Sequence, residues 1–288
     1  LWRLARTDEG FMALAPETAP VPRAFIGVRA CELAAIGIQD RVFTGGAHTD
    51  PAYRARREVS FIVAVNCVVA GGTCFCVSMQ TGPSVGGGHD IVLTAVIDGT
   101  RHRFLAAAGS DRGAALLGAL DCPPADAGLT AAAEAGVAQA AGQMGRTLDT
   151  DALPERLAAT LDSARWEAIA ERCLACANCT LVCPTCFCSS VEDTAELDGA
   201  HAERWRRWDS CFNPGFSYLH GGEVRRSTAA RYRQWLTHKL GTWHQQFGSS
   251  GCVGCGRCIS WCPVGIDITA EANALSREAA TAGTGESP

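Results

Sequence analysis

Eight cysteines fall into two runs with one spelling. Cys173, Cys176, Cys179 and Cys183 stand in "RCLACANCTLVCP". Cys252, Cys255, Cys258 and Cys262 stand in "GCVGCGRCISWCP". Both read C-x2-C-x2-C-x3-C-P. Thiolates are soft ligands for zinc, copper and iron–sulfur clusters. Zinc takes four ligands, usually offered as two separated pairs, and three closely placed thiolates plus a fourth, twice over, suit it poorly. Sixteen cysteines in all also raise the question of disulfides. A disulfide framework belongs to small secreted chains, and neighbours three apart on a tight turn face a common centre rather than distant partners.

The spacing is similar to the ligand run of bacterial two-cluster ferredoxins. Its physical basis is compact. Three thiolates on a tightly wound loop reach three corners of one iron–sulfur cube, while the fourth lies on the next helical turn, points away and serves the other cube. The proline after it sets the chain's exit. Each run then needs its twin. One [4Fe–4S] cluster is expected on Cys173, Cys176, Cys179 and Cys262, and a second on Cys252, Cys255, Cys258 and Cys183. Ala175, Ala177, Gly254 and Gly256 are small enough to let backbone N–H groups approach the sulfurs.

A second set of cysteines lies far upstream. Cys31 follows the strand-like "RAFIGVRA", Cys67 closes "FIVAVNC", and Cys74 and Cys76 form "CFC" after two glycines. Thiols at strand ends and glycine turns can converge, and a third [4Fe–4S] cluster is expected on these four. The competing reading is buried packing, which free cysteine does well. Cys122, Cys186, Cys188 and Cys211 could hold another cluster or lie just behind the ligands. The histidines at 48, 89, 201, 220 and 238 are scattered and read as surface or core. "QTGPSVGGGHD" is glycine-rich but lacks a phosphate-loop or dinucleotide fingerprint. Trp205, Trp208 and Trp235 read as packing residues.

The remaining elements must position these cysteines. At 288 residues and 47% hydrophobic, the chain can bury a sizeable core. Its net charge of -5 argues against nucleic acid as a partner, and no apolar run is long enough to span a membrane. The sequence starts at Leu1 inside what reads as folded sequence, so a preceding segment is expected. The fold class is α+β: a mixed α/β region, then a mainly helical ferredoxin-type domain for two clusters, with a long insert between the cysteine runs. Residues 1–150 form the first domain, 151–275 the dicluster domain and 276–288 a disordered tail. Strands are expected at "RAFIGVRA", "SFIVAVNCVV" and "DIVLTAVIDG", and helices at "DRGAALLGAL" and along the alanine-rich 129–141. "PERLAATLDSARWEAIAERC" reads as one amphipathic helix with Leu157, Leu161 and Ile169 on its apolar face. An arginine-rich helix is expected over 223–240, with Arg225, Arg226, Arg231 and Arg233 near the clusters or a partner surface.

Taken together, "GVRACELAAIGIQDRVF", "DPAYRARR", "GGTCFCVSMQTGPSVGGGHDIVLT", "RCLACANCTLVCPTCFC", "WDSCF" and "CVGCGRCISWCPVGIDI" resemble the β subunit of cytoplasmic sulfhydrogenases, over most of residues 25–270. These are heteromeric [NiFe] hydrogenases linked to NADP(H). The same architecture is similar to the iron–sulfur electron-transfer component of anaerobic sulfite reductase. The resemblance implies a cytoplasmic electron-transfer subunit of an oxidoreductase complex. Its partners would be a flavin subunit handling NAD(P)H and the [NiFe] small and large subunits, or a siroheme subunit in the sulfite reductase case. A polysulfide-reducing enzyme, using Cys186, Cys188 and Cys211, is the reading from a different class.

Overall fold

The structure is a computed structural model that describes residues 1–14 and 20–283. Its first element is a hairpin, β1 (Trp2–Thr7) and β2 (Gly10–Leu14). A βαβ unit follows: β3 (Arg23–Arg29), α1 (Ala30–Thr44), α2 (Pro51–Glu58) and β4 (Ser60–Asn66). Asp50 caps α2 by accepting from the Tyr53 N–H at 2.9 Å, with Pro51 at the first helical position, where a missing N–H costs nothing. Strand β5 (Ile91–Asp98) turns through Gly99, at φ +56°, into β6 (Arg101–Ala108). The sheet runs β3-β4-β5-β6, parallel except for the last pair. Ile62 and Ala64 of β4 pack with Leu33 of α1.

Helices α3 (Asp111–Ala119) and α4 (Ala127–Gly142) complete this part, capped by Ser110 and Asp126. Between β4 and β5 runs a stretch of more than twenty residues without helix or strand. Loops that long inside a folded domain are usually functional, and this one carries Cys67, Cys74 and Cys76.

The second half differs from the sequence expectation in several places. The single helix expected over 154–173 is two, α5 (Leu153–Ala159) and α6 (Arg165–Ala170), broken by a turn in which Thr160 O accepts from the Trp166 indole at 2.7 Å. Leu157 and Ile169 are buried, but Leu161 falls on the break and is exposed. After the short α7 (Asn178–Leu181), the insert is not helical. Strands β7 (Ser189–Ala195) and β8 (His201–Trp208) form a hairpin whose β8 pairs with β1, giving a second sheet ordered β2-β1-β8-β7. The mainly helical description therefore fails for the insert. Alternating charged and aromatic residues, as in "HAERWRRW", are read by period two rather than 3.6. Trp205 and Trp208 are exposed on this hairpin, whereas Trp235 is buried as expected.

A 3₁₀ turn (Pro214–Ser217) and a two-residue pair, β9 (Tyr218–Leu219) with β10 (Gly222–Glu223), lead to α8 (Thr228–Thr237). The arginine-rich helix thus starts at its Ser227 cap, later than expected. It continues as a π-helical turn, His238–Thr242, then α9 (Trp243–Phe247), α10 (Arg257–Ser260) and α11 (Ile268–Gly283). Helix α11 covers the first part of the segment expected to be disordered, and residues 284–288 lie outside the described ones. The core here is Leu153, Leu157, Trp166, Ile169, Phe212, Tyr232, Trp235, Leu236, Ile268 and Leu275, with Phe75 from the upstream loop. Among the described residues, no helix is long and apolar enough to cross a membrane.

Candidate metal centres

The two cysteine runs fold alike. Ala175 and Ala177 in the first run have φ of +51° and +64°, and Gly254 and Gly256 in the second have +63° and +71°. These left-handed residues wind each loop so that an amide donates to the first thiol, Ala175 N to Cys173 Sγ and Gly254 N to Cys252 Sγ, each at 3.4 Å. A single helical turn then carries the third cysteine, Cys179 on α7 and Cys258 on α10. The fourth follows the turn, ahead of Pro184 and Pro263. The two turns face each other, and the Asn178 amide donates to Trp261 O at 3.3 Å.

This facing exchanges the fourth cysteines. Burial pushes the Cys179 thiol up to about 12, and the nearby Cys173, Cys176 and Cys262 add to the effect. Those four thiols line one cavity with Tyr232, Trp235 and Phe212. Burial likewise pushes Cys258 well above the thiol range, and its sulfur neighbours are Cys252, Cys183 and Cys255. So Cys262 stands with the first run's triplet and Cys183 with the second's.

The upstream four also converge. Cys31 begins α1, Cys67 follows β4, and Cys74 and Cys76 flank the buried Phe75. Burial first, then Cys74 and Cys67, push Cys76 up to about 11. Burial pushes Cys31 up to about 12, with Cys255 and Cys76 beside it. The third set therefore abuts the second. The Phe75 N–H donates to Gly254 O at 2.8 Å, and the Thr81 hydroxyl to Val253 O at 2.7 Å. Arg146 N donates to Cys74 O at 3.0 Å while its guanidinium pairs with Asp267. Glu32, on the same helical turn as Cys31, bridges Arg29 and Arg257.

The donor chemistry fits iron–sulfur clusters. Buried thiols held near 11 or 12 keep their protons at neutral pH unless a cation compensates their charge, as a bound metal does. The cavity of the first set also carries unmatched donors. Tyr232 Oη and Trp235 Nε1 are buried without a hydrogen-bond acceptor in the protein, and sulfide or thiolate sulfur would satisfy them. Among the described residues, no three His, Cys, Asp or Glu side chains stand close enough to grip one metal ion. Four thiolates on one zinc would lie about 3.8 Å apart, given a Zn–S bond of about 2.3 Å, and the sets here are spread more widely.

The remaining cysteines divide. Cys122 is exposed and lies on the loop after α3. Cys186, Cys188 and Cys211 gather beside the second set: Cys186 bonds with Cys183, and Cys188 with Cys211. That pairing with Cys211 holds the Cys188 thiol down at about 7.

One functional residue escaped the sequence reading. Lys239, on the π-helical turn, is 3% exposed and donates to Thr185 Oγ1 at 2.8 Å and Gly251 O at 3.2 Å. Burial opposes its charge, but Cys183, Cys186 and Cys252 outweigh it and hold its pKa well above the ordinary lysine value. The available signal was that Lys239 is the only lysine in the sequence; every other strongly basic side chain is an arginine. Arg231 fulfils its expectation. It is buried near Cys173 and donates to Arg226 O at 2.8 Å.

Residues 172–266 match the family model of a 4Fe-4S dicluster domain. The sequence is 34% identical over 247 residues, 84% of this chain and 70% of the other, to sulfhydrogenase 2 subunit beta of Pyrococcus furiosus. No solved structure matches the chain.

Proposed function

The chain belongs to the family of sulfhydrogenase β subunits, and from that premise we propose that it is the electron-transfer subunit of a heteromeric cytoplasmic [NiFe] hydrogenase. In this reading it stands between a flavin subunit handling NAD(P)H and the subunits that hold the catalytic metal. The observation that carries it is the pair of like-folded cysteine runs, each with the other's fourth cysteine at its triplet. The proposed ligands are Cys173, Cys176, Cys179 and Cys262 for one cluster and Cys252, Cys255, Cys258 and Cys183 for the next. Cys31, Cys67, Cys74 and Cys76 are proposed for a third.

Bound there, [4Fe–4S] clusters supply one-electron storage and transfer. The protein's part is electrostatic. The Ala175, Gly254 and Ile266 amides point at thiolates, and such hydrogen bonds, with burial, tune the potential at which an electron is accepted. Phe75, Phe212 and Trp235 keep water from the sulfurs.

The first test is an anaerobic pull-down of the native complex, with bound proteins identified by mass. A [NiFe] large subunit together with a flavin subunit is expected. A siroheme subunit in their place would move the assignment to sulfite reduction. Iron and sulfide analysis of the anaerobically reconstituted chain should approach about twelve iron atoms, four per cubane. About eight would leave the upstream cysteines as packing residues.

A second reading, polysulfide reduction, has one observation behind it, the grouping of Cys186, Cys188 and Cys211 beside Cys183. Sulfide release from polysulfide by the isolated reduced chain, lost on Cys188→Ala, would favour it over pure relay.

A further inference from the structure

We propose that Lys239 is the charge-compensating residue of the site formed by Cys252, Cys255, Cys258 and Cys183, and that it raises the reduction potential there. The inference rests on the cluster reading above and adds a residue to it.

The argument starts from burial. An ammonium taken out of water costs several kcal/mol unless an anion faces it. Lys239 is almost completely buried, and among the described residues it has no salt bridge to a carboxylate. Its two oxygen acceptors, Thr185 Oγ1 and Gly251 O, are neutral. The groups that act on its charge are the sulfurs of Cys183, Cys186 and Cys252. Thr185 lies between: its hydroxyl is 3.1 Å from Cys183 Sγ and 2.7 Å from Gly251 O. The face of Trp243 closes the other side, 5.7 Å from Nζ.

The backbone holds this placement. Lys239 sits in a π-helical turn, a form found mostly as single turns at functional sites. Its carbonyl accepts from Gly251 N at 2.8 Å, tying it to the segment that enters Cys252. The choice of residue has a reason too. Lysine is a compact point charge on a flexible stem, whereas arginine is a wide planar fork. Arginine supplies every other strongly basic side chain in this sequence, and at this buried position it would not fit between Thr185 and Trp243 without displacing one of them.

A fixed cation in a low-dielectric interior stabilises the more negative, reduced state over the oxidised one. Removing it therefore moves the potential downward. The test is an EPR-monitored potentiometric titration of the reconstituted chain, comparing wild type with Lys239→Met, Lys239→Gln and Lys239→Arg. Lys239→Met and Lys239→Gln should lower one cubane's reduction equilibrium at least tenfold, about 59 mV for one electron, and leave the other signals nearly in place. Lys239→Arg should shift it less. If Lys239→Met does not take up iron, uptake by Lys239→Arg at near-wild-type potential supports the charge requirement, and equal failure of both overturns it. Full iron content with an unchanged potential in Lys239→Met also overturns it. A wild-type chain that binds no cubane at all would overturn the cluster reading itself.

Discussion

Cys262→Ser is expected to strip the metal site of the run it does not belong to. The reconstituted variant should lose about four iron atoms, one cubane, and the EPR signal that disappears should be the one also lost in Cys173→Ser. Signals dependent on Cys252 and Cys255 should persist. The reason is positional. Cys262 follows the α10 turn, and that turn faces α7, so its sulfur stands with Cys173, Cys176 and Cys179. Its own triplet is met instead by Cys183. Reciprocal behaviour is expected of Cys183→Ser. Loss confined to the signal shared with Cys252→Ser would sink the exchanged assignment, because it would mean that each run closes on itself.

The second large effect is at Gly256. A Cβ there would stand 2.2 Å from Thr73 O, and the residue's φ is +71°. Neither the clash with a backbone atom nor the left-handed conformation can be relieved locally. Gly256→Ala should cost on the order of 3 kcal/mol and push the upstream loop off the second run, breaking the Phe75–Gly254 contact. The metal content should fall to about eight iron atoms through loss of the upstream set. The control is built into the chain. Ala177 holds the equivalent place in the first run at φ +64°, so Ala177→Gly should alter stability by only about 1 kcal/mol or less. The difference tests the fold directly: the second run has a neighbouring loop pressed on it where the first tolerates a methyl. A wild-type iron count and melting temperature in Gly256→Ala would show that the loop is free to move.

These two predictions mark how far the sequence could be read. The eight cysteines with their prolines were legible because ligand spacing is local: a run of C-x2-C-x2-C-x3-C-P has the same reach wherever it occurs. The three parallel-sheet strands and the helices over 111–119 and 127–142 were legible for a similar reason, since period and caps lie within each segment. The break at Thr160 and the late start of α8 were not. An indole bonded to a turn carbonyl is a tertiary fact that overrides helical periodicity. The hairpin at 189–208 was missed because its pairing partner, Trp2–Thr7, lies almost two hundred residues away.

Glycine against alanine at matching places in the two runs was visible in the sequence as composition alone. Its meaning came from the Cys74–Cys76 loop, which packs on one run. Lys239 is the sharpest case. As a letter it is a lysine at the end of an arginine-rich helix, where a solvated charge is the default. It is buried because α8 packs on Leu153, Leu157 and Trp166, and because the π turn rotates its side chain toward the sulfurs. Ligand identity could be read from residue type and spacing because both are properties of a short stretch of chain. The charge, burial and neighbours that set the behaviour of those ligands come from segments far apart in sequence, and only the packing of the folded chain brings them together.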